Sequence, residues 1–173
     1  MNSLHLENII KQAPYEIILV EEVPCIIYFQ TDYEVEYEIV IKSNDLFIPS
    51  GAYALDIINI WGKASPGDPK FRLTLMAIIE EFFRQNNDVL LYVTETKDEK
   101  QAFRNRLFVR WFNTYEQQDQ YIIRTAEGEM KGQMNFMAII MRKDNPHREQ
   151  AIREFEETID FLFDNPVIDN EAP

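Results

Sequence analysis

The sequence predicts an α+β fold: a mixed, mainly antiparallel sheet with about three main helices, two of which pack on the sheet. Three observations support this prediction. Residues 33–42 alternate apolar side chains with glutamates, which is typical of a half-buried antiparallel strand. Residues 71–85 and 94–115 carry apolar side chains at helical spacing, and residues 89–93 are apolar without alternation, as in a strand covered on both faces. With 173 residues, 46% of them hydrophobic, the chain is large enough to bury a substantial core.

The first part of the chain contains four predicted strands. Residues 1–12 form either a short amphipathic helix or a frayed end. Residues 15–20 and 25–31 are rich in β-branched and aromatic side chains and are predicted to pair as a hairpin. In the strand over residues 33–42, the side chains expected to face the core are Tyr33, Val35, Tyr37, Ile39 and Ile41. Its acidic row, Glu34, Glu36 and Glu38, is either a solvated face or a docking surface for a basic partner. A fourth strand is predicted over residues 53–61.

Local signals place the starts of two long helices. Asp68 is a good N-cap and Pro69 suits the first helical position of the helix over residues 71–85. Apolar side chains cover one side of this helix, and the opposite side is expected to carry Glu80, Glu81 and Arg84. Thr96 and Glu99 read as a capping box for the next helix.

Residues 121–124 and 133–142 are predicted to form either a hairpin or two longer strands, separated by residues 127–132. A last helix follows. That helix is expected to start at Asn145 and Pro146. Pro166 is expected to close it.

The helix after the capping box is unusually basic. Its apolar side chains recur at helical spacing, at Phe103, Leu107, Phe108, Trp111, Phe112 and Tyr115. The same spacing places Arg104 within the apolar arc and Asn105 toward one flank. Arg106 and Arg110, four residues apart, form a row on the other flank.

Two interpretations of these cations stay open. In the first, Arg104 covers apolar surface with its stem and pairs with a carboxylate of another element. In the second, the helix binds an anion or a partner protein through Arg104, Asn105, Arg106, Arg110 and Trp111. Residues 96–112 hold five cationic and two acidic side chains, which gives this segment a net charge of +3. Since the whole chain has a net charge of −13, the residues outside this segment carry −16.

A resemblance rests on four segments. They are Ala77 to Phe83 (AIIEEFF), Leu90 to Val93 (LLYV), Gln101 to Phe108 (QAFRNRLF) and Arg110 to Phe112 (RWF). Together they resemble the most recognisable part of an uncharacterised family of small Bacteroidetes proteins, classed as a domain of unknown function. The resemblance covers roughly residues 52–142. It implies a Bacteroidetes source and a cytoplasmic setting, and it carries over no catalytic residue.

The strongly acidic composition makes some classes of binding partner unfavourable. The net charge of −13 and the isoelectric point near 4.6 argue against a general nucleic-acid binder and against anionic membranes. No apolar run is long enough to span a bilayer, and the N-terminus lacks a secretion signal, so a cytoplasmic protein is expected. We expect a single globular domain over residues 1–163 and a flexible acidic tail over residues 164–173.

The residues point away from catalysis without excluding it. His5 and His147 are the only histidines, and neither belongs to a metal-binding or triad-like motif. Cys25 is the only cysteine, and its apolar neighbours favour a buried side chain over a nucleophile. The sequence therefore predicts no catalytic residue, no metal site and no cofactor.

Two functional hypotheses follow from the charge distribution. The first is a binding or regulatory module whose basic, aromatic helix contacts an acidic protein or a small anion, with homodimerisation as a related possibility. The alternative is an acidic immunity or inhibitor protein that neutralises a basic toxin or nuclease.

Overall fold

The computed structural model describes residues 1–44, 46–64, 66–95, 99–114 and 118–169; for residues 95, 99–104, 118 and 165 it describes the backbone alone. The four α-helices of this part of the chain are α1 Leu6–Gln12, α2 Pro69–Gln85, α3 Glu99–Asn113 and α4 Arg148–Leu162. Its eight strands are β1 Ile17–Glu21, β2 Cys25–Gln30, β3 Glu36–Ser43, β4 Ala52–Asn59, β5 Val89–Glu95, β6 Tyr121–Met130, β7 Gln133–Arg142 and β8 Asp164–Asp169. Strand pairing is mostly antiparallel, so the α+β class is confirmed. The number of helices is four rather than about three, because the N-terminal segment forms α1.

The packing divides the chain into two compact units. The first comprises Met1–Ser43 and Ala54–Asn87, and the second comprises Asn44–Tyr53 and the described residues from Asp88 onward. The expectation of one domain over residues 1–163 stays a prediction.

In the first unit, β1, β2 and β3 pair in sequence as antiparallel neighbours. Ile17 lies opposite Phe29 across β1 and β2, which confirms the predicted hairpin. The register of β2 on β3 places Ile27 opposite Ile39, and both side chains are fully buried. The period-2 pattern thus predicted the core face of β3 correctly from Val35 onward.

Tyr33 is an exception to that pattern, since 49% of it is exposed. The strand begins only at Glu36, because residues 31–34 form a turn in which the Glu34 N–H donates to the Thr31 carbonyl and Glu34 has a φ of 55°. Alternation inside a turn carries no information about which face of a sheet a side chain occupies.

The start of α2 is as predicted. One carboxylate oxygen of Asp68 accepts hydrogen bonds from the backbone N–H groups of Lys70 (2.9 Å) and Phe71 (3.2 Å), and Pro69 occupies the first helical position. The expected position of Glu81 is wrong: it is only 1% exposed and belongs to the buried side of the helix. Its carboxylate accepts four hydrogen bonds, which offset the cost of burying a charge.

The second unit contains strands β5, β7, β6 and β8, adjacent in that order and antiparallel. Strand β7 spans the predicted residues, whereas β6 continues to Met130 instead of ending at residue 124. Lys131 and Gly132 alone connect the two strands, both with positive φ (53° and 79°). A two-residue turn of this kind matches the twist of paired strands, so the hairpin extends further than the sequence suggested.

Both faces of this sheet are covered. Met137, Ile139 and Met141 of β7 pack with Phe155 and Ile159 of α4 in one buried cluster. Phe136 points the other way, since successive side chains of a strand alternate between faces, and its ring contacts Tyr92 of β5. The second face carries α3.

Helix α4 starts at Arg148, later than the expected Asn145–Pro146. The Asn145 side-chain oxygen accepts a hydrogen bond from the His147 N–H (2.8 Å), so Asn145 closes the turn before the helix. The helix ends at Leu162 with Phe163 as its C-cap, before Pro166.

Part of the expected tail is a strand. Residues Asp164–Asp169 form β8, which pairs antiparallel with β6 through Thr125–Asp169 and Glu127–Val167. A bulge in β6 between Glu127 and Glu129 contains Gly128. A Cβ atom at Gly128 would lie 2.5 Å from the Phe163 side chain, so only glycine lets Phe163 approach this closely.

Candidate functional site

The buried side of α3 fixes the direction of its arginines. Asn105, Phe108 and Phe112 form its buried stripe, at 0%, 2% and 3% exposure. The ring of Phe108 stacks on Tyr92 of β5 at 4.6 Å, and that of Phe112 meets Tyr121 of β6 edge-on at 5.9 Å. These contacts hold the helix in one rotation about its axis.

The structure describes the side chains of four of the five predicted site residues. Arg106 and Arg110 lie in a row on one flank of α3, as expected, and both are exposed. Asn105 is fully buried in the helix–sheet contact instead of lying toward a flank, because the helix is rotated to centre its buried face on Asn105, Phe108 and Phe112. Trp111 is half-buried. The Arg104 side chain and the Thr96 cap lie outside the described residues, so neither interpretation of Arg104 is tested.

A groove of about 440 Å³ runs along the flank that carries the two arginines. One wall is α3, and the rest is formed by β6, β7 and β8. The lining residues are Arg106, Val109, Arg110, Asn113, Thr125, Glu127, Phe136, Val167 and Asp169. We call this the α3–β8 groove.

The two guanidinium groups have no carboxylate partner among the residues that the structure describes, since none lies within 4 Å of Arg106 or Arg110. Other arginines do have such partners: Arg84 contacts Glu81 at 2.6 Å, and Arg142 binds the Asp144 carboxylate through two nitrogen atoms. The arginines of the groove are therefore available to an external anion.

The opposite wall of the groove carries negative charge. Glu127 is an exposed residue of β6, and Asp169 lies at the end of β8, facing the same groove. Val109, Phe136 and Val167 add apolar surface to the lining. The groove thus combines cations on α3, carboxylates on β6 and β8, and apolar surface from α3, β7 and β8.

Sequence reasoning missed this second wall. Alternation along residues 121–127 places Thr125 and Glu127 on one face of β6, but the predicted strand covers only residues 121–124 and leaves both residues outside it. Val167 and Asp169 were assigned to the tail, and no local signal indicated that the tail pairs with β6.

The groove offers ligand-binding groups and no metal cage. Among the residues that the structure describes, no group of three or more His, Cys, Asp and Glu side chains is placed to hold a metal ion. Two guanidinium groups one helical turn apart instead suit recognition of carboxylate or phosphate oxygens. In the same described part, no helix has both the length and the apolar character to cross a membrane.

The acidic row of β3 is partly occupied by internal partners. The Lys63 ammonium lies 3.4 Å from the Glu34 carboxylate, and the Trp61 indole N–H donates to Glu36 at 3.2 Å. Both contacts are at the surface, and such contacts are weak. Two of the three glutamates therefore have internal contacts while they stay accessible at the surface.

Cys25 is a buried core side chain. It is 2% exposed, and burial, assisted by the nearby Glu22, raises the pKa of its thiol to about 11. Because the thiolate is the nucleophile, this environment disfavours reactivity.

The comparison with protein families gives a match to this chain. A model described as a family of unknown function, DUF6169, matches residues 67–157, which is more than half of the chain. The matched region includes both arginines of the α3–β8 groove and ends before β8. No curated protein and no solved structure matches the chain.

Proposed function

The chain belongs to the DUF6169 family, and we propose that it is a non-catalytic binding module whose α3–β8 groove holds an acidic segment of a partner protein. The proposal rests on Arg106 and Arg110. Both are exposed, they lie one turn apart on α3, and neither has a carboxylate within 4 Å in the described part of the chain. The cytoplasmic setting and the Bacteroidetes source belong to the same proposal.

The charges that line the groove favour an acidic peptide segment over a compact polyanion. A compact polyanion would gain from the arginines and lose to Glu127 and Asp169 on the opposite wall. A peptide segment places one or two carboxylates on the arginine side and directs apolar side chains or backbone N–H groups to the other. The apolar surface of Phe136 and Val167 fits that ligand better than it fits phosphate.

Net charge adds a condition to this proposal. The whole chain carries −13, which repels an acidic partner at long range. Binding therefore requires close contact with the arginines, where the local attraction exceeds the screened repulsion. At physiological ionic strength, charges further apart than about 8 Å are largely screened.

The test is fluorescence anisotropy with a labelled peptide of about eight residues that alternates glutamate and leucine. Arg106→Gln/Arg110→Gln should weaken binding by about ten-fold or more, because each guanidinium–carboxylate hydrogen bond contributes roughly 1.5–3 kcal/mol. Arg106→Lys/Arg110→Lys keeps the charge and loses the paired N–H geometry, so its affinity should be intermediate. Added salt should weaken the wild-type complex.

A charge-matched control separates this contact from a general field effect. Lys131→Gln/Lys143→Gln removes two exposed cations of the same unit that do not line the groove. If both double variants bind the peptide as well as wild type does, or lose it equally, the α3–β8 groove is not its site. Sedimentation of the wild type without peptide shows separately whether the partner is a second copy.

The alternative, an acidic inhibitor of a basic toxin or nuclease, rests on the charge of −16 outside residues 96–112. Two glutamates of its clearest acidic row, Glu34 and Glu36, have weak surface contacts with Lys63 and Trp61, which a basic partner would have to replace. Tight binding of a basic nuclease that survives Arg106→Gln/Arg110→Gln would favour it.

A further inference from the structure

A second groove lies on the other face of the second unit, where the C-terminal half of α4 meets the loop before β4. Its volume is about 320 Å³. Apolar side chains line most of it: Leu46, Phe47 and Pro49 from the loop, and Phe161 and Leu162 from α4. We call it the α4 groove. It shares no lining residue with the α3–β8 groove.

The loop is fastened to the helix, which gives the groove a defined shape. The Thr158 hydroxyl donates to the Phe47 carbonyl at 2.8 Å, and the Glu154 carboxylate accepts from the Ser50 N–H at 2.8 Å. Ile48, between these contacts, is fully buried. Phe47 and Leu162 are half-buried and pack on the core of the unit, so the floor of the groove is an extension of that core.

Two large apolar side chains at the rim face solvent. Phe161 is 87% exposed and Leu46 is 80% exposed. The buried stripe of α4 is Ala151, Phe155 and Ile159, so Phe161 projects away from the core. Single exposed apolar residues are ordinary, but two that adjoin a shaped apolar groove are typical of an interaction surface.

The charge around the groove is negative. Glu154 and Glu157 line it, and the last turn of α4 contains no basic residue. The carboxylate of Glu154 is engaged by Ser50 and Gln150, whereas Glu157 is exposed and has no ion-pair partner among the described residues. The C-terminal end of a helix adds a partial negative charge.

We propose that the α4 groove docks a segment of another protein in which an apolar side chain is flanked by lysine or arginine. The apolar anchor enters between Phe47 and Leu162, and Phe161 and Leu46 close over it. The cations face Glu157 and the end of α4. The partner therefore has the opposite charge to the one proposed for the α3–β8 groove, and the two sites are independent.

The test uses two labelled peptides of about twelve residues, one of leucine and lysine and one of leucine and glutamate, with the full-length chain. We expect the leucine–lysine peptide to bind about ten-fold more tightly than the leucine–glutamate peptide, and Phe161→Ser to weaken it by a similar factor. Leu46→Ser should also weaken it. Glu157→Gln should reduce the preference for the basic peptide.

A matched control excludes a general effect of a basic peptide on an acidic protein. Leu73→Ser removes an exposed apolar side chain from another helix, at 53% exposure, and should leave binding unchanged. Amide chemical shifts in the wild type should change over residues 46–50 and 154–162. Equal binding by Phe161→Ser and wild type, shift changes confined to other segments, or equal affinity for the two peptides would each overturn the proposal. Self-association that Phe161→Ser abolishes would also overturn it, since the occupant would then be a second copy.

Discussion

Replacing Glu81 with glutamine tests the least expected feature of the first unit. Glu81 lies on α2, and its carboxylate accepts hydrogen bonds from the His5 N–H (3.0 Å), the Asn8 amide (3.0 Å), the Gln85 amide (2.8 Å) and the Arg84 guanidinium (2.6 Å). Two of these donors belong to α1 and its N-cap, so this one carboxylate ties α1 to α2. Glutamine keeps the shape, removes the charge and replaces one acceptor with a donor.

The structure sets the size of the loss. Glutamine leaves about two of the four donors facing an N–H₂ group, and an unsatisfied buried polar group costs roughly 1–3 kcal/mol. Arg84 is 40% exposed at its side chain and can turn to water, which limits its share. We therefore expect Glu81→Gln to lower the free energy of unfolding by about 3 kcal/mol at neutral pH, near the lower end of the loss from breaking a buried ion pair.

The effect has a defined pH dependence. Burial alone raises the pKa of Glu81, but the hydrogen bonds from Gln85, His5, Asn8 and Arg84 together outweigh it and lower the pKa below its ordinary value. A carboxyl group with a lowered pKa stabilises the fold above its unfolded-state pKa. That contribution is lost as pH falls through the folded-state pKa, so the difference between Glu81→Gln and wild type should shrink in acid.

Urea denaturation at neutral and acidic pH measures both quantities, and hydrogen exchange of the His5 amide reports on the contact itself. Glu7→Gln is the control, since Glu7 is an exposed residue of α1 and its loss should change stability by less than about 0.5 kcal/mol. The reasoning is refuted if Glu81→Gln is as stable as Glu7→Gln at neutral pH. A difference that grows in acid would refute the assigned direction of the pKa shift.

Three further predictions concern single contacts. Gly128→Ala should lower the free energy of unfolding by about 2 kcal/mol, because the new methyl group overlaps Phe163, whereas Gly67→Ala, with no atom nearby, should have little effect in the same thermal denaturation assay. Asp68→Ala removes the cap of α2 and should cost about 1–2 kcal/mol in urea denaturation, with Asp68→Asn retaining most of the stability. Cys25 should react with a thiol reagent only as fast as the protein unfolds, and rapid modification of the native protein would contradict its burial.

The sequence predicted correctly those structural features that depend on residues close together in the chain. The cap of α2 needs only Asp68 and Pro69 beside an apolar face, and all of these are adjacent in the sequence. Alternation alone predicted which side chains of β3 face the core. This prediction was wrong only at Tyr33, where the chain turns. The position of Arg106 and Arg110 in one row on a flank of α3 follows from helical spacing in the same way, whereas their exposure does not.

The errors share a physical cause, which is that long-range partners decide the outcome. Glu81 and Asn105 are polar residues that an amphipathic pattern places away from the core, yet both are buried. For Glu81, two of the four donors that make burial tolerable come from α1 and its N-cap, some seventy residues earlier in the chain. Residue type reports the cost of burying a group but gives no information on whether a distant partner offsets it.

The α3–β8 groove results from the difference in width between a four-stranded sheet and a single helix, which no short sequence segment shows. Strands lie about 4.8 Å apart, so four strands span roughly 14 Å between the axes of the outermost two, whereas one helix is about 10 Å wide. Helix α3 packs over β5 and β6 through Tyr92 and Tyr121, and β8 extends the sheet beyond its reach. The part of this face beside α3 is therefore left open as the α3–β8 groove. Glu127 and Asp169 line this groove on the sheet side, and Arg106 and Arg110 line it on the α3 side.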